Sequence, residues 1–381
     1  MEKRRILITG GAGFIGSNLA LALIERGYQV RILDNLSPQI HGEDPLQSEL
    51  FQSIRYKTEF IKGDVTNRND WLKALEGQEV VVHLAAETGT GQSMYQIERY
   101  CSVNINGTAI MLDLITNDKQ LNVKKMIVAS SRAIYGEGKY KNSQGKIVYP
   151  DSRKDEDMRK GDFEVKCSST GETLYVLPTD EESKIHPLSI YGITKYNQEQ
   201  MVLTIGKALG IPAVALRYQN VYGPGQSLSN PYTGILSIFS ALIKNGDDIN
   251  IFEDGKESRD FVYISDVIDA TILAIEKKEG NYKAFNVGSG VLTNVLTVAN
   301  KLSEKYKEDV NIHVTGNYRL GDIRHNYADL SNIKKELGFE PKIDFDKGLS
   351  HFTHWVDTQK IKKSRYKESL SEMQTKGLYR A

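Results

Sequence analysis

The stretch from Arg5 to Asp34 constrains the fold more than any other part of the chain. Arg5-Ile6-Leu7-Ile8-Thr9 is a short β-branched run that reads as a buried strand. Gly10-Gly11-Ala12-Gly13-Phe14-Ile15-Gly16 follows, then Ser17 to Arg26 with Leu19, Leu23 and Ile24 at helical spacing, then Gln29 to Asp34, a second strand closed by an acid. Gly10 permits the tight turn, Gly13 lets the backbone approach a pyrophosphate, and Gly16 lets the helix pack close to the strand. Phe14, Ile15 and Gly16 open a helix whose first N–H groups have no intrahelical partner and favour phosphate. Asp34, with Asn35 beside it, suits the adenosine ribose hydroxyls and repels a 2′-phosphate, so NAD is expected rather than NADP.

Strand-like and helical segments go on alternating. Thr58 to Val65, Glu79 to Ala86 and Lys125 to Ser131 read as strands, and Trp71 to Leu75 as a helix. Repeated βα units imply a Rossmann-type, doubly wound parallel sheet whose ligands lie beyond the carboxyl ends of its strands. Leu84, Ala85, Ala86, Ser130 and Ser131 fall at that edge with the glycine loop. Asp64 and Val65 either reach the adenine or begin the next helix as its cap. At 381 residues and a formal net charge of +0, the chain can build a large core, and nothing in its balance calls for nucleic acid or a membrane surface. Two cysteines, Cys101 and Cys167, make no disulfide framework. Glu2-Lys3-Arg4-Arg5 leads into the first strand without the apolar stretch of a signal peptide, and no apolar run is long enough for a bilayer, so the expected location is the cytoplasm.

Tyr191 and Lys195 stand four apart at the start of a helical run, hence on one face. An ammonium beside a phenol favours the phenolate and suits it to take a proton. The same spacing suits an ordinary amphipathic helix, so the remaining motifs decide. The glycine loop, Asp34, His83-Leu84-Ala85-Ala86, Asn104 to Thr108, Ser130 to Gly136, Tyr191 to Lys195, Leu216 to Pro224 and Arg259 to Val262 together resemble the extended short-chain dehydrogenase/reductase family, in its nucleotide-sugar branch. The resemblance covers nearly the whole chain and implies a catalytic triad of Ser131, Tyr191 and Lys195. It makes Tyr191 the base at a sugar hydroxyl, Lys195 the group that lowers its pKa and holds the nicotinamide ribose, and Ser131 the partner of the reacting oxygen.

Dehydratases of this family resemble one another in an Asp-Glu pair directly after the Ser or Thr; here Arg132 and Ala133 stand there. That departure implies oxidation and re-reduction at one carbon, the C4 epimerisation of a nucleotide-diphosphate sugar, with NAD regenerated in each cycle. Glu87 to Tyr95, and Ser130 to Gly138 followed by an insertion over about 139–187, resemble the enzymes that act on dTDP-L-rhamnose or a related 6-deoxyhexose, in cell-surface polysaccharide biosynthesis. The alternatives are a UDP-sugar 4-epimerase, a dehydratase or 4-reductase, and a non-catalytic NAD(H)-sensing protein. The resemblance places Thr88, Gly89, Ser93, Ser131, Arg132 and Tyr191 around the sugar, and Asn220, Arg259 and Arg324 on the diphosphate or nucleotide.

The insertion is charged, and Asp151 to Lys160 reads as solvated; it is expected to lie over the sugar pocket, with packing as the alternative. Cys167 stands alone where some relatives carry a Cys-x-x-Cys turn, so no metal is expected. The expected division is a NAD-binding domain at 1–222 and 262–288, a smaller interleaved nucleotide-sugar domain at 223–261 and 289–358, and a loosely held polar tail at 359–381. Gly107 to Ile115 and Tyr196 to Leu209 carry apolar residues beyond one core face; in relatives such helices pair across a two-fold axis, which implies a homodimer.

Overall fold

Seven parallel strands centre the computed structural model, which describes residues 4–232, 234–308, 310–361 and 366–380. In chain order they are β1 (Arg5–Thr9), β2 (Gln29–Asp34), β3 (Glu59–Lys62), β4 (Val80–His83), β5 (Lys125–Ser131), β6 (Ala213–Tyr218) and β7 (Lys283–Val287). Their spatial order is β7-β6-β5-β4-β1-β2-β3. The connections reverse direction between β1 and β4, and a crevice opens there beyond the strand ends. Alternation of side chains splits the core in two. Ile6 and Ile8 face α1 (Phe14–Glu25) and pack with Leu19, Leu23 and Ile32, whereas Leu7 packs on the opposite face with Trp71, Val81, Met111 and Val202. That second face is covered by α2 (Gly107–Asn117) and α3 (Ile190–Leu209).

A smaller unit grows from the carboxyl side of the sheet. Asn220–Tyr222 runs parallel to the second half of Ser258–Tyr263, whose first half pairs with Leu292–Asn294 and His325–Asn326. The chain enters this unit after β6 and returns to the large sheet as β7, so the two units interleave. In the first turn of the helix Ile264–Glu276, the Asp266 carboxylate receives the N–H groups of Lys342 and Ile343, both at 3.1 Å, and joins that helix to the C-terminal part of the smaller unit.

The insertion is a small sheet, with Tyr140–Lys141 between Ile147–Val148 and Tyr175–Val176. Asp151 to Lys160 is not simply solvated. The Arg153 side chain is buried and donates to both carboxylate oxygens of Glu253 at 2.8 Å, and Met158 packs with Phe163 and Tyr318. None of the described residues 139–187 lines either cavity discussed below, so the insertion braces the smaller unit rather than roofing the sugar pocket.

The tail expected to be loose is folded where it is described. Helix α4 (Tyr366–Thr375) is followed by Tyr379–Arg380, which pairs antiparallel with Tyr318–Arg319. Met373 and Tyr379 are buried. Two such anchors, at about 1.5–3 kcal/mol each, hold a segment whose average polarity reads as solvated. Residues 362–365 and 381 of that tail, like Glu2 and Lys3, lie outside the described residues.

Candidate active site

Two cavities adjoin at the carboxyl edge of the sheet. The first, about 350 Å³, runs from Asp34 past the glycine loop to Tyr191 and Lys195. The second, about 190 Å³, lies toward the smaller unit. They meet across consecutive residues: Thr88, Ser131 and Gln219 line the first, and Gly89, Arg132 and Asn220 the second.

The first cavity suits a dinucleotide. Gly10 has φ +65°, and a Cβ on Gly16 would come 2.3 Å from the Gly10 carbonyl oxygen, so the loop tolerates no side chain there. Asp34 is held by the N–H of Ala12 at 2.9 Å and of Leu36 at 2.8 Å, and burial raises its pKa. Gly10, Gly13, Phe14, Ile15, Gly16, Asp34, Asn35, Val65, Leu84, Ala85 and Ala86 all line the cavity. Asp64 does not. Its carboxylate accepts from Asn35 Nδ2 at 2.9 Å and from the Thr66 N–H at 2.8 Å, so it orients Asn35, and the next helix is capped by Asn67. Ser130 Oγ and the Gln219 amide, both buried at this cavity, have no hydrogen-bond partner among the described residues. Orphaned polar groups of this kind are costly unless a ligand satisfies them. The residues present therefore fit NAD. Sequence reasoning placed Ser130 at this edge beside Ser131 without assigning it a contact, and missed Gln219, which no local pattern marks.

The catalytic candidates converge where the cavities meet. Ser131 ends β5, and its Oγ accepts the Ala133 N–H at 3.1 Å, so the strand-end cap and the site residue are one. Ser189 caps α3 by accepting the Gly192 N–H at 3.1 Å, which sets Tyr191 and Lys195 in the first turns. The Tyr191 N–H donates to Ser93 Oγ at 3.0 Å, tying α3 to the 88–95 loop; Ser93 itself is buried and lines neither cavity. Burial raises the Tyr191 pKa, and the Ser131 hydroxyl and the Arg132 charge oppose the rise. The sequence pointed to Lys195 for that task. In the structure Lys195 is buried, pushed down to about 7, and donates to Gln198 Oε1 at 2.5 Å. Gln198 Nε2 donates to Thr108 Oγ1 at 2.9 Å, and His83 bonds Thr108 and Thr9 at 2.9 and 2.7 Å. His83 is thus a structural residue, held neutral by burial with its pKa at about 3.

The second cavity gathers cations. Asn220, Arg132, Arg259 and Arg319 line it. Arg132 makes no hydrogen bond or ion pair among the described residues, and burial followed by Arg259 pushes it down to about 10. Arg259 Nη2 reaches Asp322 at 3.0 Å and the Ile323 carbonyl at 2.7 Å. Burial opposes the charge on Asp322, but Arg319, Arg259 and Arg132 together hold its pKa well below the usual range. Glu257 also lines this cavity, with an unpartnered buried Oε2 and a pKa pushed up to about 7 by burial and Glu253. Arg324 does not belong to the cavity. It is fully buried behind it and pairs with Asp254 at 2.7 Å, Glu253 at 2.9 Å and Glu164 at 2.6 Å. The arginine that faces the ligand space is Arg319, five residues earlier.

Comparison with known proteins agrees with this site. The model of the NAD dependent epimerase/dehydratase family matches residues 6–153 and 165–288. A dTDP-L-rhamnose 4-epimerase of Burkholderia thailandensis is 36% identical over 358 residues, covering 93% of this chain and 96% of the relative. A UDP-glucose 4-epimerase of Thermotoga maritima, solved with UDP-glucose, superposes with a TM-score of 0.74 at 31% identity, covering 93% of this chain and 98% of that one. A UDP-glucuronic acid 4-epimerase of Bacillus cereus, solved with UDP-glucuronic acid and NAD, gives 0.75 at 26% identity, covering 93% and 99%. With the glycine loop, the acid at the end of β2 and the Ser-Tyr-Lys cluster in one cleft, the chain belongs to the NAD dependent epimerase/dehydratase family.

Proposed function

We propose that the protein is a nucleotide-diphosphate-sugar 4-epimerase, acting on dTDP-L-rhamnose or a related 6-deoxyhexose through a transient 4-keto sugar. One observation carries this reading: Ser131 and Tyr191 stand where the two cavities meet, and the next residue, Arg132, offers a guanidinium with no hydrogen-bond or ion-pair partner among the described residues. An elimination of water across C5 and C6 needs an acid and a base at Arg132 and Ala133, and neither side chain fills those roles at neutral pH. Removal and return of hydrogen at one carbon needs, besides the nicotinamide that would take and return the hydride, only Tyr191 and Ser131 for the O4 proton.

Bound NAD supplies the hydride acceptor and, after the sugar has turned over, the hydride donor. Tyr191 takes the proton of the sugar O4 and later returns it. Ser131 holds O4 by a hydrogen bond, and Arg132 opposes the cost of burying the phenolate. Lys195, near neutrality at about 7, serves as the proton's next station and as a hold on the nicotinamide ribose. Thr88, Gly89 and Arg132 border the sugar, while Asn220, Arg259 and Arg319 take the diphosphate, where guanidinium binds phosphate bidentately. On this reading residues 1–222 and 262–288 form the NAD domain and residues 223–261 and 289–358 the nucleotide-sugar domain, except that Asn220–Tyr222 and Val262–Tyr263 pair in the smaller unit's sheet.

The reading includes a homodimer through α2 and α3, supported by Ile193 and Leu209, 41% and 40% exposed at the two ends of α3. It also includes a cytoplasmic location and a role in cell-surface polysaccharide biosynthesis; no helix among the described residues is long and apolar enough to cross a membrane. Proton NMR of the protein with dTDP-L-rhamnose, dTDP-glucose, UDP-glucose, UDP-N-acetylglucosamine and GDP-mannose, without added cofactor, tests it. Inverted H4 couplings in one sugar are expected. A 4-keto-6-deoxy product would overturn the epimerase reading.

A further inference from the structure

The segment 366–380 does more than pack. Tyr366 and Met373 line the second cavity together with Gly89, Gly91, Arg132 and Arg319. Met373 crosses the sugar-side loop closely: a Cβ on Gly91 would lie 3.1 Å from its sulfur. One turn of α4 pins both sides of that opening. Glu372 Oε2 accepts from Tyr232 OH at 2.7 Å and from Tyr95 OH at 3.1 Å, and the two phenols are 2.8 Å apart. The strand that follows sets a phosphate ligand. Tyr379 pairs with Arg319 in register, and its ring lies 5.4 Å from Phe252, over which the Arg319 guanidinium also sits at 5.4 Å. Asn317 Nδ2 donates to Tyr379 OH at 2.7 Å and locks the pairing.

We propose that residues 366–380 are a substrate-binding element of this enzyme: Tyr366 and Met373 contact the bound sugar nucleotide, Glu372 ties the segment to the sugar loop, and Tyr379 positions Arg319 for the diphosphate. This inference rests on the reading of the second cavity as a nucleotide-sugar site and deepens it. The segment completes a wall that the large sheet and the smaller unit leave open. Its fit to the ligand selects for a nucleoside diphosphate carrying a compact sugar at the Met373 end.

The test is hydrogen exchange on the full-length protein, with and without saturating dTDP-L-rhamnose or UDP-glucose, read by mass spectrometry. Protection is expected at residues 89–95, around Arg259 and equally across 366–380. In parallel, Met373→Ala should weaken binding of these sugar nucleotides about tenfold, and the exposed-site change Glu372→Ala about threefold, with bound NAD unchanged. The Glu372 variant leaves the buried anchors in place, so its folding is not in question. Protection at 89–95 and Arg259 without any at 366–380 would overturn this inference alone. Protection nowhere in the cavity would overturn the nucleotide-sugar reading and this inference with it.

Discussion

The two cavities are built by opposite strategies. The first takes its phosphate loop, helix N-terminus and ribose acid from one continuous stretch, Gly10 to Asp34, and shapes itself largely with backbone. The second draws on Gly89, Arg132, Asn220, Arg259, Arg319 and Met373, six separated parts of the chain, and works through side chains. A backbone-shaped site leaves a mark in sequence because only glycine fits where backbones touch. A side-chain site leaves none, because an arginine looks the same whether it faces a ligand or a buried carboxylate.

Substitutions can break this contrast at chosen points. The largest effect belongs to the boundary. Tyr191→Phe should lower turnover by about 10³-fold or more, roughly 4 kcal/mol, while NAD and nucleotide stay bound. Loss of NAD from that variant, seen by mass spectrometry of the native protein, would show that the phenol serves binding instead. Arg324→Met should act on stability rather than ligand. It leaves Asp254, Glu253 and Glu164 crowded behind the cavity, at a cost of about 3–5 kcal/mol in a urea melt, with the nucleotide Kd unchanged once folded. Arg259→Met should do the reverse and weaken nucleotide binding by about 10–100-fold in calorimetry with NAD content intact. An equal loss of NAD would mean that the two cavities are not independent.

The smallest effect is a pH dependence confined to the second cavity. Glu257, pushed up to about 7, is neutral below that pH and negative above it. A negative charge beside the diphosphate repels it, so affinity should fall by roughly threefold from about pH 6 to about pH 8. Glu257→Gln should flatten that dependence, and an unchanged slope in the variant would assign the titration to another group.

The same contrast explains which residues were legible. Ser131, Tyr191 and Lys195 were readable because each sits at a fixed place on its element: a strand end, and one face of a capped helix. Arg319 and Arg324 lie five residues apart in one short segment of mixed polar and apolar residues. Pairing of Tyr318–Arg319 with Tyr379–Arg380, and of His325–Asn326 with Ser258–Arg259, turns the first arginine to the cavity and the second to the acids. No local property separates them. The tail misled for a related reason. Its average polarity is that of a solvated peptide, yet two buried anchors, Met373 and Tyr379, decide its fate through contacts with residues far away in the chain.

By itself, then, the sequence determined the sheet, the glycine loop and the placing of Tyr191 and Lys195 on one helix face, since these follow from periodicity, capping and the steric demands of glycine over short distances. The tertiary structure alone decided which arginines line the second cavity, what the insertion braces and which part of the tail borders that cavity. Those are choices among chemically equal side chains, and only long-range packing, which sets each one's direction and partners, can make them.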